Sequence, residues 1–144
     1  MAPKLFDASQ FTPTQFSTAE EKARFANHFV RFVEKDFPWT LFHKQFYNRL
    51  SMTFRHIAHF NQHRFYSVFF RTTADKVRFL RWTLQPVFGD PAYTYVDAER
   101  EIHSWLFTTG LLEVYEQRLR EETECHERQL LATLKAKYEG EGVR

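Results

Sequence analysis

The sequence predicts an all-α, single-domain bundle of about five helices with a long C-terminal helix. Three observations predict it. Apolar residues recur at three- and four-residue spacing along most of the chain, as one buried helix face requires. Helix-start patterns precede several of these stretches, and no stretch shows the strict alternation of a half-buried strand. A chain of 144 residues with 17 Phe and only 4 Gly fits one domain whose core is built from large rings.

Residues 1–16 hold two prolines and phenylalanines at 6, 11 and 16. They are expected as an irregular arm whose rings dock on the body, followed by a helical domain over 17–138 and a flexible C-terminus over 139–144. Ser17-Thr18-Ala19-Glu20 reads as a capping box with Ser17 as the cap. The helix it opens should bury Phe25, Phe29, Phe32 and Val33. It should stop near Asp36, because Phe37 precedes a proline and is biased away from helical geometry. A second helix is expected from Thr40 through Phe60, with Phe46, Leu50, Phe54 and Ile57 as its stripe. Asn61 either ends it or is passed through, and the continuation from Gln62 to Phe70 presents Phe65, Val68 and Phe69.

Thr72-Thr73-Ala74-Asp75 is another capping start. The helix after it carries Val77, Leu80 and Leu84 on one side and Phe79 and Trp82 on the other, which suits a central or interfacial helix. Pro86, Gly89 and Pro91 mark a loop from Gln85 to Tyr95. Asp97 is expected to cap the next helix, with Glu99 and Glu101 placed to suit its dipole and Ile102, Trp105 and Leu106 facing inward. Gly110 ends that helix or weakens it. From Leu111 to about Tyr138 the pattern is helical again, with a seam at Leu112, Tyr115 and Leu119 that resumes at Leu130 and Leu134. Arg120 to Gln129 is almost wholly polar. A seam interrupted in this way cannot be buried evenly by a short bundle. Either the polar middle projects into solvent, or the tip (Leu130, Leu131, Leu134, Tyr138) mediates self-association.

Charge is segregated along the chain. From Thr40 to Trp82 there are eight bases and one acid, a net +7, although the whole chain carries only +2. Such a field attracts anionic surfaces whatever the fold. The expected function is therefore a non-enzymatic interaction protein offering a basic, aromatic surface to nucleic acid, or to an acidic or nucleic-acid-associated protein. Arg49, Arg55, Arg64, Arg71, Lys76, Arg78 and Arg81 would make ionic contacts on that surface, which starts at Lys44. Tyr66 and Trp82 would stack or wedge. A bland reading competes with it. Asp97 to Glu127 holds nine acids and three bases, a net −6, so the two halves could neutralise one another within the fold or across a dimer.

His56, His59 and His63 would share a helix face if the helix ran unbroken past Asn61. That opens an alternative: a metal- or haem-binding helical protein, an enzyme among the options, using His59 and His63 at the i, i+4 spacing of helical zinc sites. Against it, His56 and His63 are about 10 Å apart in helix rise, and no carboxylate lies between Asp36 and Asp75. The expectation is therefore no metal and no cofactor. Catalytic patterns are weak as well. Ser51, Ser67 and Ser104 lack diagnostic context, and Cys125 and His126 are neighbours that point about 100° apart on a helix. The acids around Cys125 blunt its thiolate. Carboxylate pairs such as Glu113 and Glu116 are ordinary on solvated helices. With glycine only at 89, 110, 140 and 142, no phosphate-cradling loop can form. One cysteine, no signal-peptide-like start and no stretch of membrane-spanning length lead to the expectation of a soluble, cytoplasmic protein.

Overall fold

The structure, a computed structural model, describes residues 5–53 and 61–142. Among them are six α-helices and no strand: α1 (Ala19–Glu34), α2 (Lys44–Thr53), α3 (Gln62–Phe69), α4 (Thr73–Thr83), α5 (Val96–Thr109) and α6 (Leu111–Gly142). Two short 3₁₀ turns, Ala8–Gln10 and Trp39–Leu41, lie in the connections. The predicted all-α bundle with a long C-terminal helix is the observed architecture.

Local side-chain chemistry sets most of the boundaries. Thr72 caps α4 by accepting the Asp75 backbone N–H, as the sequence pattern requires. At α1 the cap is Thr18, not Ser17; its hydroxyl accepts from the Glu21 N–H and leaves Ser17 buried. The expected helix from Thr40 instead opens with the 3₁₀ turn, and α2 begins at Lys44. His43 caps it, with Nδ1 accepting from the Phe46 N–H at 3.2 Å. Asn61 has extended backbone, and its side chain accepts from Arg64 N–H, so it starts α3 and does not pass a helix through. Phe54 and Ile57 lie outside the described residues. Gly110 adopts φ 64 and closes α5, a left-handed conformation that glycine enters without steric cost. α6 continues four residues past its expected end, to Gly142.

The rings form one connected core. Phe32 of α1 sits at its centre, fully buried, with ring centroids 5.2 Å from Phe37, 5.6 Å from Phe42, 5.2 Å from Phe46 and 5.0 Å from Phe70. Phe70 continues to Phe79 of α4 at 4.8 Å, and Phe37 meets Tyr115 of α6 at 5.5 Å. Most of these pairs are tilted or edge-on, the geometry that ring quadrupoles favour. Phe6 and Phe11 of the N-terminal arm are buried as well, whereas Phe16 is 86% exposed. Asn27 holds the arm by exchanging hydrogen bonds with the Phe6 backbone, both at 2.9 Å.

α6 packs on α4 near its start and then leaves the body. Every residue from 120 to 139 is exposed, so roughly 30 Å of helix extends beyond the core. The junction is tied at Asp36, which follows α1 at φ 67. Its Oδ1 accepts from Lys76 Nζ at 2.9 Å, Tyr115 Oη at 2.8 Å and Arg118 Nη1 at 3.1 Å. Burial pushes this carboxyl up, but the bonds from Lys76 and Tyr115 and the charges of Lys76 and Arg118 outweigh it and hold the pKa below the ordinary aspartate value.

A lowered native pKa stabilises the fold above the unfolded-state pKa of about 3.9 and loses that contribution as pH falls through the native value. Asp36→Asn keeps a residue that tolerates the left-handed backbone and removes only the charge. It is expected to lower unfolding free energy by about 1–2 kcal/mol at neutral pH, allowing for solvent screening. Denaturant melts near pH 2 should show no difference from the parent.

Candidate functional site

The fold divides the predicted basic surface into two sets. One set is engaged by charged and polar partners within the fold. Lys76 pairs with Asp36 and lies 5.6 Å over the Phe37 ring. Arg78 donates to the Val68 carbonyl at 2.7 Å and pairs with Asp75 at 3.3 Å. Arg81 pairs with Glu116 of α6 at 2.5 Å. The Tyr66 hydroxyl donates to the Phe37 carbonyl at 2.5 Å, and its ring packs against Trp39, Phe42 and Phe70. Trp82 stays half exposed on α4. Two pairs, Arg81–Glu116 and Lys22–Asp97, join bases earlier in the chain to the acidic segment. In the other set, Lys44 and Arg71 are exposed and Arg49 is half-buried; Arg64 is exposed as well. Arg55, His56 and His59 lie outside the described residues.

Arg49 is the residue around which a site assembles. Its guanidinium lies 4.1 Å from the ring centroid of buried Tyr95, a distance at which stacking fixes the cation in place. This Arg49–Tyr95 stack forms the wall shared by two clefts. One, of about 380 Å³, runs between α1 and α2 and is lined by Arg24, His28, His43 and Glu21. The other, of about 400 Å³, is lined by Phe16, Phe88, Tyr93 and Glu99. Among the described residues Arg24 and Arg49 take part in no ion pair.

The rings of His28 and His43 are in contact at a tilt of 52°, with centroids 4.7 Å apart. His28 Nε2 lies 2.6 Å from the Leu41 carbonyl, so that nitrogen carries a proton and donates it. His43 Nδ1 accepts the α2 capping bond, which leaves the Nε2 of the neutral ring as its N–H donor. Burial lowers the pKa of His28. The bond to Leu41 opposes this, and the charges of His43 and Arg31 lower it further.

The second cleft has three highly exposed rings on its rim: Phe16 at 86%, Phe88 at 77% and Tyr93 at 78%. Large exposed rings gathered at one place mark a contact surface. Their backbone is held firmly. Thr14 accepts the Phe16 and Ser17 N–H groups at 3.2 and 2.9 Å. Gly89, next to Phe88, has φ 150 and lies so close to Thr94 that an added Cβ would come within 3.0 Å of its hydroxyl.

Beneath both clefts lies the pair that positions them. Lys22 is fully buried in α1, and its ammonium donates to Asp97 Oδ1 at 2.9 Å, Asp97 Oδ2 at 3.2 Å and the Pro91 carbonyl at 2.8 Å. Asp97 also accepts from the Thr12 N–H at 2.9 Å. It is therefore not the cap of α5. That position is Tyr95, which makes no side-chain capping bond. The Lys22–Asp97 pair joins the arm, α1, the 85–95 loop and α5 at one point.

The histidine alternative loses its geometric premise at Asn61, where the extended backbone breaks any helix from His59 to His63. His63 instead stacks on Trp39, with centroids 4.7 Å apart. Among the described residues no three His, Cys, Asp or Glu side chains converge as a metal ion requires. Sequence reasoning missed Arg24, His28 and Arg31. The signal was present, since they stand at i, i+4 and i+7, offset from the Phe25, Phe29 and Phe32 stripe, but they lie outside the basic segment. Among the described residues no helix is long and apolar enough to cross a membrane. Comparison of the chain with protein-family models, curated proteins and solved structures finds no match.

Removing one member of a buried ion pair leaves the other charge uncompensated, at a cost of about 3–5 kcal/mol. Asp97→Asn is expected to destabilise the protein on that scale in chemical denaturation. The double change Lys22→Met with Asp97→Asn should recover most of the loss.

Proposed function

We propose that the protein is a non-enzymatic helical interaction protein that offers a basic, aromatic surface to nucleic acid. The observation that carries this reading is the stack of Arg49 on Tyr95, with Arg24 and two histidines on one side and exposed rings on the other. Phosphates are met by Arg and His donors, and bases by ring faces, which together are what a nucleic acid presents. Lys44 and Arg71 extend the positive surface along α2 and beyond α3. We place this activity in a reducing, cytoplasmic setting, since the exposed thiol of Cys125 would be open to intermolecular oxidation elsewhere.

Counterion release makes affinity for a phosphate backbone fall steeply with salt. Fluorescence anisotropy with a labelled mixed-sequence oligonucleotide is expected to show a fall of about tenfold or more between 50 and 200 mM salt. Lys44→Glu with Arg71→Glu should weaken binding further and leave the circular dichroism unchanged. Arg78 is unsuitable for such a test because it holds the Val68 carbonyl. Binding that ignores both salt and charge reversal would favour neutralisation of the two halves within the fold, and an acidic protein as partner would appear as failure of the oligonucleotide to bind.

Self-association is a second reading, favoured by the arm of α6. Leu130, Leu131, Leu134 and Tyr138 are 52%, 66%, 41% and 62% exposed there. Leu130, Leu134 and Tyr138 stand at i, i+4 and i+8, one side of a helix with no body beneath it. Leu130→Asp with Leu134→Asp is expected to shift the protein to a smaller species in sedimentation. A parent chain already monomeric at high micromolar concentration would count against this reading.

A further inference from the structure

We infer that the two clefts meeting at the Arg49–Tyr95 stack form one site for unpaired nucleotides, with phosphate bound between α1 and α2 and bases laid on the rings of Phe16, Phe88 and Tyr93. This rests on the nucleic-acid reading and deepens it, because it selects the single strand over the duplex.

The selection follows from which chemistry is exposed. A duplex shows phosphates and base edges, and its base faces are hidden by stacking. A surface suited to a duplex needs cations and groove-reading polar groups, and exposed phenylalanine gives it neither. Phe16 and Phe88 have no polar atom to offer a groove, yet they are 86% and 77% exposed. Their free faces match unpaired bases, which stack on rings with little regard to sequence.

The neighbouring cleft supplies the phosphate half. Arg24 and Arg49 bring fixed charge, and His43 brings a ring N–H donor, against one carboxylate, Glu21, on the same walls. Arg49 serves both halves. Its face is taken by Tyr95, while its N–H groups lie in the guanidinium plane and make no hydrogen bond or ion pair among the described residues. A cation already immobilised by stacking loses little freedom when it accepts a phosphate. Glu99, only 6% exposed, lines the ring-side cleft, where uncharged bases and not phosphates would lie.

The test compares three probes on the full chain by anisotropy: a labelled single-stranded oligothymidylate, a blunt duplex of equal length, and poly-glutamate. The single strand is expected to bind at least about tenfold more tightly than the duplex. Phe88→Ala with Tyr93→Ala, both on exposed loop positions, should weaken the single strand about tenfold and leave duplex binding and thermal unfolding unchanged. Arg49→Gln should lower both single-strand affinity and its salt slope. A duplex bound as well as the single strand, or a single strand indifferent to loss of the two rings, would overturn this inference while leaving nucleic-acid binding in place. Poly-glutamate bound as tightly as either nucleic acid, or neither nucleic acid bound, would overturn the nucleic-acid reading and this inference with it.

Discussion

The buried contact between Lys22 and Asp97 is the constraint on which the candidate site depends. An ammonium with no solvent exposure is costly unless its donors are satisfied, and here they meet both oxygens of Asp97 and the Pro91 carbonyl. That satisfaction ties together positions 22, 91 and 97, and through Asp97 it reaches the Thr12 N–H of the arm. Everything on the ring side of the site hangs from these points. Phe16 follows Thr12 by four residues, and Phe88, Tyr93 and Tyr95 lie on or beside the loop that Pro91 anchors. Tyr95 in turn fixes Arg49. A polar contact thus positions an otherwise irregular part of the chain, which regular helix packing could not do.

The rest of the body is held by rings and by a second polar junction. Phe32, Phe37, Phe42, Phe70 and Phe79 make a continuous aromatic core in which α1, α3 and α4 meet. Asp36 then joins the end of α1 to α4 and α6 through Lys76, Tyr115 and Arg118. The basic residues therefore separate by role. Those on α4 pair with groups of the fold, and Arg24 and Arg49 on α1 and α2 line the clefts without an ion pair among the described residues. A net charge summed along a segment cannot distinguish these roles, because each is decided by what the fold brings opposite.

This also explains what the sequence could reveal. Helix starts were legible where the capping chemistry is local, as at Thr72 and Asp75. At Ser17 and Thr18 two adjacent hydroxyls both fit the pattern, and the fold uses the second. Asp97 looked like a cap because its partner lies 75 residues away on α1, and no local pattern reports such a contact. Arg49 was legible as a basic surface residue. Its role as the wall between two clefts was not, because Tyr95 reaches it only through tertiary packing. Phe16 was expected to dock with Phe6 and Phe11, since ring spacing alone does not tell which ring the arm leaves outside. The helix face proposed for His56, His59 and His63 required continuity at Asn61, a residue that caps helices more readily than it propagates them.

The central claim is that single-stranded nucleic acid lies across the Arg49–Tyr95 stack. Ultraviolet crosslinking to a single-stranded oligothymidylate, with the modified residues mapped by mass spectrometry, tests it at the level of individual rings. Adducts are expected at Phe16, Phe88 and Tyr93, and they should be lost at high salt. Adducts confined to Trp82 or to Tyr138 of the α6 arm, with the three rim rings unmodified, would contradict it.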